Sequence, residues 1–567
     1  MTPDNPTTEP PRPHPLLRYF APRPTPYDPL EWRKLPRSRR LREACQAWVL
    51  DGYGVPFAMY ALYCVKTLAF VAAWMGFCAF NAGDGPSLMS WEWAVHPDAF
   101  KKAILWSMVF EGLGLGCGSG PLTGRYMPPV AACLHFARPG TVKIPLIPGL
   151  PILGGSRRTI LDAALYVAHI GWLLWILCAP AVTPSLVAPS IALLAALALA
   201  DKTVLLACRG EHYGAMLVCF LFVEDWIPGA KIVALAIWIW AAVSKLNAHF
   251  PSVIGVMTCN SPWARSERLR RAMVRSHPDD LRPSRLAHVI ARGGTLLELV
   301  FPVFLVLGEG GSLTIAGLVL MVLFHVYITS NVPMAVPLEW NVVVVYGAFV
   351  LFGHHAAVPV SSLQSPGLIV FLVAAIGLVP LVGNFFPSRV SFLLSMRYYA
   401  GNWPFSVWLF RGEGAEKLDE CVEKAAELPH KQLAHYFDER TSAGALSKVP
   451  AFRAMHLHGR ALHDLIPLAV DDESKYTTYD GEIIAGMVLG YNFGDGHLHG
   501  RRLLEAIQER CSFAPGELRH VYIESQPLGG SALRWQIRDA AEGLLHEGET
   551  SIETLKGRQP WPELKGS

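Results

Sequence analysis

The chain reads as an all-α polytopic membrane helix bundle of about ten spans followed by a small α+β soluble C-terminal domain. Three observations carry that reading. Of the 567 residues, 52% are hydrophobic and only 17% charged, too apolar a composition for ordinary soluble domains. The cations gather in segments flanking long apolar runs, the pattern by which multipass proteins set their orientation. After Met396-Arg397-Tyr398-Tyr399-Ala400-Gly401-Asn402-Trp403 the composition turns soluble, and about 160 residues remain, enough for one small core. These observations divide the chain into an arm (1–54), a bundle (55–395) and a soluble domain (396–567). A net charge of +3 gives no electrostatic footprint for nucleic acid. The eleven cysteines are scattered singly, Cys117 and Cys259 among them, so neither a zinc site nor a disulfide framework is indicated.

The arm is Pro-rich and then basic, with Arg33, Lys34, Arg37, Arg39, Arg40 and Arg42 ahead of the first apolar run. It is too long and polar for a signal peptide and reads as a cytoplasmic segment that orients the first span. Spans are expected at Val55–Phe80 and, after a polar loop through Asp84, at Ala103–Gly118. In the second, Gly112, Gly116 and Gly120 recur at intervals of four, which on a helix makes a smooth stripe for a neighbouring helix. The stretch from Leu122 to Thr159 carries Arg125, Arg138, Lys143, Arg157 and Arg158 with no acid and should face the cytoplasm.

Further spans are expected at Ile160–Val182, Leu186–Leu206, Tyr213–Ile227 and Ala230–Phe250. An Arg-rich loop up to Arg292 follows, then spans at Thr295–Leu307, Leu313–Thr329, Asn341–Phe352 and Gly367–Phe386. Ten spans put the arm, both basic loops and the C-terminal region on one side, with both termini cytoplasmic. In the soluble domain, Glu416–Glu427, Arg501–Arg510 and Ser531–Leu545 read as helices, and Ile483–Tyr491 and Leu518–Ile523 as strands. Ser531 is placed as the N-cap of the last helix. The Gly494-Asp495-Gly496 turn resembles an anion seat, although a plain turn explains it. His456, His458, His463, His497 and His499 have no cysteine or carboxylate at a recognised metal spacing.

Ionisable side chains inside spans must be buried in the bundle, paired or close to an interface. The candidates are Glu111, Asp162, His169, Asp201, Lys202, Lys245, Glu298 and His325. Asp201 and Lys202 read as an interfacial pair and Asp162 as a span-start residue, whereas Glu298 and His325 lie deeper. Lys245 sits near the end of its run, where snorkelling competes with a chemical role.

The run Ala241-Ala242-Val243-Ser244-Lys245-Leu246-Asn247-Ala248-His249-Phe250 resembles the catalytic-lysine segment of the vitamin K-dependent gamma-carboxylase superfamily. Leu296-Leu297-Glu298-Leu299-Val300-Phe301-Pro302 resembles the Glu-and-Pro span of the related bacterial HTTM proteins, and Phe324-His325-Val326 their histidine-bearing span. The whole chain is similar to an uncharacterised family of bacterial multipass transmembrane proteins. The resemblance implies Lys245 as the base that deprotonates a reduced quinone, His325 as a hydrogen-bond partner of a quinol oxygen, and Glu298 as orienting or charge-balancing. Asn247 and His249 stand where the carboxylases carry acids, and the large extracytoplasmic substrate region has no evident counterpart. Two function classes follow. One is a membrane enzyme acting on a quinone or lipid-like substrate through catalytic Lys245, Glu298 and His325. The other is a non-enzymatic lipid-handling or assembly protein whose cytosolic domain binds a protein partner.

Overall fold

The computed structural model describes residues 15–80, 90–118, 120–126, 132–332, 337–390, 397–493 and 497–563. The start of the Pro-rich arm, the loop through Asp84, Met396 and the Gly494-Asp495-Gly496 turn lie outside them. The arm holds α1 (Arg37–Asp51), and the bundle is built from α2 (Phe57–Ala79), α3 (Pro97–Gly112), α4 (Ile160–Leu177), α5 (Pro184–Ala200), α6 (Trp226–Ser244), α7 (Phe250–Asn260), α8 (Arg285–Leu307), α9 (Ser312–Thr329), α10 (Leu338–Ala348) and α11 (Pro366–Phe385). Among the described residues six of these, α2, α4, α6, α8, α9 and α11, are long and apolar enough to cross a bilayer, and α5 and α10 belong to shorter apolar helices. The expected count of about ten spans therefore gives way to six helices of spanning length.

Local chemistry explains the difference. The Tyr213–Ile227 run is divided between a short helix, Tyr213–Cys219, and the first two residues of α6, and the short helix cannot cross a hydrocarbon core of about 30 Å. Helix α3 stops at Gly112, and Gly114 then takes a φ of +72°, the left-handed conformation that ends helices. Gly116 and Gly120 thus lie beyond it and the expected stripe does not form. Within the helix Gly112 serves close packing, since a Cβ there would stand 2.9 Å from Cys208 Sγ and from Ile170 Cδ1. The Ala230–Phe250 run breaks at Lys245. Asn247 Oδ1 accepts from the His249 amide at 2.7 Å and the Phe250 amide at 3.2 Å, and Pro251 opens α7, where its missing N–H costs nothing.

The C-terminal region is a five-stranded antiparallel sheet with helices. Its strands are β1 (Phe405–Arg411), β2 (Tyr476–Asp480), β3 (Leu518–Ile523), β4 (Ala532–Asp539) and β5 (Gly543–Ser551), in the order β2-β1-β3-β4-β5. Two expectations are corrected. Ile483–Tyr491 is not a strand but belongs to a buried helix, α12 (Gly481–Leu489), started by Asp480, whose carboxylate accepts from the Glu482 amide at 2.9 Å, and ended by Gly490 at φ +92°. Ser531–Leu545 is not a helix but enters the β4–β5 hairpin, and Ser531 precedes a strand instead of capping a helix. The helix expected at Glu416–Glu427 is shorter, Gly414–Cys421, whereas Arg501–Cys511 and Leu518–Ile523 match their expected types.

The arm and both basic loops pack on this domain, which places them on one side of the bundle. Tyr27 and Ser447 hydroxyls are 2.8 Å apart, Arg37 donates to the Leu462 carbonyl, and Arg125 to the Gly490 carbonyl at 3.1 Å. Helix α12 lies so close to the loop at Thr123 that a Cβ on Gly486 would meet the Thr123 carbonyl at 1.9 Å.

Burial holds the imidazoles of His456, His463 and His520 down at about 3. Groups with depressed pKa values stay neutral when folded but bind protons once unfolded, at about 6.5. Their sum therefore favours unfolding as pH drops below about 6.5 and has no effect above it. Glu482 opposes them: burial, only partly offset by Arg453, pushes it up to about 7. Burial depresses His458 and His499 in the same direction, so the histidines outweigh Glu482, and the melting temperature of the detergent-solubilised protein is expected to fall between about pH 7 and about pH 5. An unchanged or rising melting temperature in differential scanning fluorimetry would contradict this balance.

Candidate functional site

Lys245 follows the last residue of α6, so its ammonium lies at the negative end of the helix dipole. Its Nζ makes a direct ion pair with Glu298 Oε2 on α8. Both side chains are buried, at 7% and 4% exposure, so the lysine does not snorkel to an interface. The amine also lies 5.6 Å from the Phe250 ring centroid and 5.4 Å from that of Phe324, distances at which an aromatic face attracts a cation. Glu298 is oriented inward by the same α8 face that buries Thr295, Phe301 and Pro302.

His325 stands one residue beyond Phe324 on α9 but does not touch the pair through a hydrogen bond. Trp238, two turns before Lys245 on α6, donates its indole N–H to His325 Nε2 at 3.3 Å. That fixes Nε2 as an acceptor and leaves Nδ1 to donate to Asn341 Oδ1 at 2.7 Å, the neutral tautomer. The Asn341 amide nitrogen is buried with no partner among the described residues, an unmade donation that costs free energy until something accepts it. The structure thus brings Lys245 and Glu298 into contact and sets His325 beside them in a Trp238–His325–Asn341 chain.

An apolar crevice of about 30 Å³ runs from Trp238 past Val343, Val344 and Gly347 to Trp340, His212 and Tyr213. It holds little more than one water, so a ring-sized ligand needs an aromatic wall to move. Trp340 in the crevice lining follows Glu339, which belongs to a second polar centre. Glu111, Cys117 and Glu339 are the three-ligand group found among the described residues that could hold a metal, their ligand atoms all within 4.8 Å of one another. Glu111 was singled out by its charge in an apolar run. Glu339 sits at the very start of α10 and Cys117 in a loop, and nothing in their local sequence pairs them.

The remaining candidates have structural partners. Asp162 takes Lys143 Nζ at 2.7 Å and forms a reciprocal cap with Thr159. Asp201 does not form an interfacial pair with Lys202: it points inward to Arg158 Nε at 2.8 Å and caps the next helix through the Thr203 amide. His169 is buried on α4 with neither ring nitrogen bonded among the described residues. In the C-terminal region His456 Nδ1 meets the Phe452 carbonyl, His497 meets Glu524, His499 meets Ser406, and the His458 ring stacks 4.7 Å from that of His249. His463 is buried in the helix Leu457–Ala469.

A family model described as "Transmembrane protein of unknown function (DUF3556)" matches residues 17–566. No curated protein and no solved structure matches the chain.

Proposed function

The chain belongs to the DUF3556 family of transmembrane proteins, and from that premise we propose that it is an intramembrane enzyme, similar to HTTM and gamma-carboxylase membrane domains, acting on a quinone or lipid-like substrate. The observation that supports this is the buried Lys245–Glu298 contact next to His325. A lysine and a glutamate in apolar surroundings can pass one proton between them and so trade two costly charges for a neutral amine and a neutral acid. The neutral amine of Lys245 is the base, taking the hydroxyl proton of a quinol and leaving a quinolate for dioxygen. Glu298 stores the proton that makes Lys245 available, and the open Asn341 amide beside His325 donates to a substrate oxygen. Both termini are cytoplasmic in this reading, as the basic segments require.

The test is quinol epoxidation in membranes supplied with reduced quinone, oxygen and bicarbonate. Wild type is compared with the double variant Lys245→Met, Glu298→Leu, which removes both charges together and so spares the fold. Epoxide from wild type alone is the expected result. Equal epoxide from both removes Lys245 as the base, and none from either removes the enzyme reading.

One observation favours the non-enzymatic alternative. A cavity of about 560 Å³ opens beside the start of α2, where Phe57 and Tyr60 meet Arg23, Arg265 and Arg270 together with Asp51 and Glu267, a lining whose excess of one cation suits an anionic lipid headgroup. In that reading the protein handles lipid and the soluble domain engages a protein partner. Native mass spectrometry after exposure to anionic and zwitterionic lipid is expected to show retained anionic lipid that Arg265→Glu releases.

A further inference from the structure

The second polar centre stands apart from Lys245 and its chemistry. Glu111 ends α3, Cys117 lies in the loop after it, and Glu339 opens α10. All three are buried, at 2% exposure or less. Glu111 Oε2 accepts from the Cys117 amide at 2.9 Å and Oε1 accepts from Arg209 Nε at 3.3 Å, while Cys117 Sγ lies 3.6 Å from Glu339 Oε1. Gly116 makes the convergence possible, since a Cβ there would stand 2.2 Å from Glu111 Oε2 and 2.8 Å from Glu339 Oε1. Two carboxylates and a thiol thus share a space from which the backbone itself has been cleared of side chain.

A separate observation points to a ligand in that space. The hydroxyls of Tyr213 and Tyr491 are fully buried and have no hydrogen-bond partner among the described residues. Both lie within electrostatic range of Glu111 and Cys117. The Tyr491 ring abuts Gly118, and the Tyr213 ring lies 5.6 Å from that of Trp340, the residue after Glu339. Buried hydroxyls are normally satisfied, and the side chains within electrostatic range of both are Glu111, Cys117 and Arg209.

We propose that Glu111, Cys117 and Glu339 bind a divalent transition-metal ion of the zinc class, with the fourth position facing the Tyr213 and Tyr491 hydroxyls. The spacing fits. A tetrahedral ion with bonds of about 2.1 Å to oxygen and about 2.3 Å to sulfur sets those atoms roughly 3.6 Å apart, the distance between Cys117 Sγ and Glu339 Oε1. The donor set selects the ion, because a thiol gives up its proton to zinc or cobalt and not to the hard ions magnesium and calcium. Charge agrees as well. Arg209 pairs with Glu111, and Glu339 is hydrogen-bonded to Glu111 side chain to side chain, so a divalent ion takes the place of the proton that the two carboxylates share and of the thiol proton, and the net charge is unchanged. Three protein ligands with one open position is the arrangement of exchangeable rather than closed zinc sites.

The test uses the full chain produced in cobalt-supplemented medium and purified in detergent without chelator, because the buried site fills most readily during folding. One cobalt per chain is expected, with thiolate-to-cobalt charge-transfer absorption in the near ultraviolet that zinc abolishes on exchange. Cys117→Ser is expected to lose that absorption, and Glu339→Gln to lower retained cobalt about tenfold or more while the protein still elutes as a single folded species. Folded wild type without bound cobalt overturns the proposal. So does charge-transfer absorption that persists in Cys117→Ser, which would assign the metal to another cysteine, and so does cobalt retention unchanged in Glu339→Gln.

Discussion

Lys245→Ala is expected to destabilise the protein by about 3–4 kcal/mol near neutral pH. Truncation leaves Glu298 as a carboxylate buried in the bundle with no countercharge. The upper bound comes from the escape route. A carboxylic acid with an ordinary pKa near 4.3 can be protonated at pH 7 for about 3.7 kcal/mol, so the variant never loses more than that through the charge. The same reasoning fixes the pH dependence, since at about pH 5 protonation costs only about 1 kcal/mol and most of the defect disappears. Exposed ion pairs are worth about 1 kcal/mol or less, so the size alone separates a buried pair from a snorkelling lysine. The double variant Lys245→Met, Glu298→Leu is expected to regain most of the loss. Unfolding in detergent at two pH values reads all of this, and a pH-independent loss below about 1 kcal/mol would sink the buried-pair account.

Arg158→Ala is expected to cost about 3–5 kcal/mol and to expose the C-terminal domain to protease. One guanidinium joins three parts of the chain. Its Nε reaches Asp201 at the end of α5 at 2.8 Å, Nη1 reaches Thr141 in the basic loop at 2.9 Å, and Nη2 reaches the carbonyl of Leu489, the last residue of α12, at 3.3 Å. It also packs over the Phe136 ring at 5.0 Å. Truncation strands the buried Asp201 carboxylate and removes one of the bonds that hold the domain to the bundle. Arg158→Lys keeps the charge but not the planar fork that serves three acceptors, so it should preserve stability better than docking. Limited proteolysis and a melting curve separate the two effects, and wild-type behaviour in both assays for Arg158→Ala would remove Arg158 as a docking residue.

Much of the candidate site was legible because charge in an apolar run is conspicuous. Lys245, Glu298 and His325 each announce themselves by the cost of burying them, and the structure finds the first two in contact. Trp238 and Asn341 carried no such signal, since an indole and an amide are unremarkable in a span. Cys117 and Glu339 are 222 residues apart, and a lone cysteine in a glycine-rich loop looks like any small apolar residue. The basic stretch around Arg125 and Arg158 was read only for orientation, and the structure gives those same cations buried partners.

Misread elements share a cause. Ile483 to Leu489 is a short, continuous apolar run, which periodicity alone cannot assign to strand or helix; Asp480 and Gly490 decide it by capping. Ser531 to Leu545 carries an N-cap residue that reads as a helix start, although pairing of Ala532–Asp539 with Gly543–Ser551 across a tight turn makes it a hairpin.

By itself the sequence determined that this is a multipass membrane protein with a folded polar domain, and that a few charges lie where they must be paired. Hydrophobic length and charge placement are local properties, written residue by residue. Tertiary structure alone decided which runs reach spanning length, that Lys245 is held by Glu298, that Arg158 fastens the domain, and that Glu111, Cys117 and Glu339 meet. Those outcomes depend on partners distant in the chain, and the desolvation cost that forces each pairing states only that a partner must exist, not which residue supplies it.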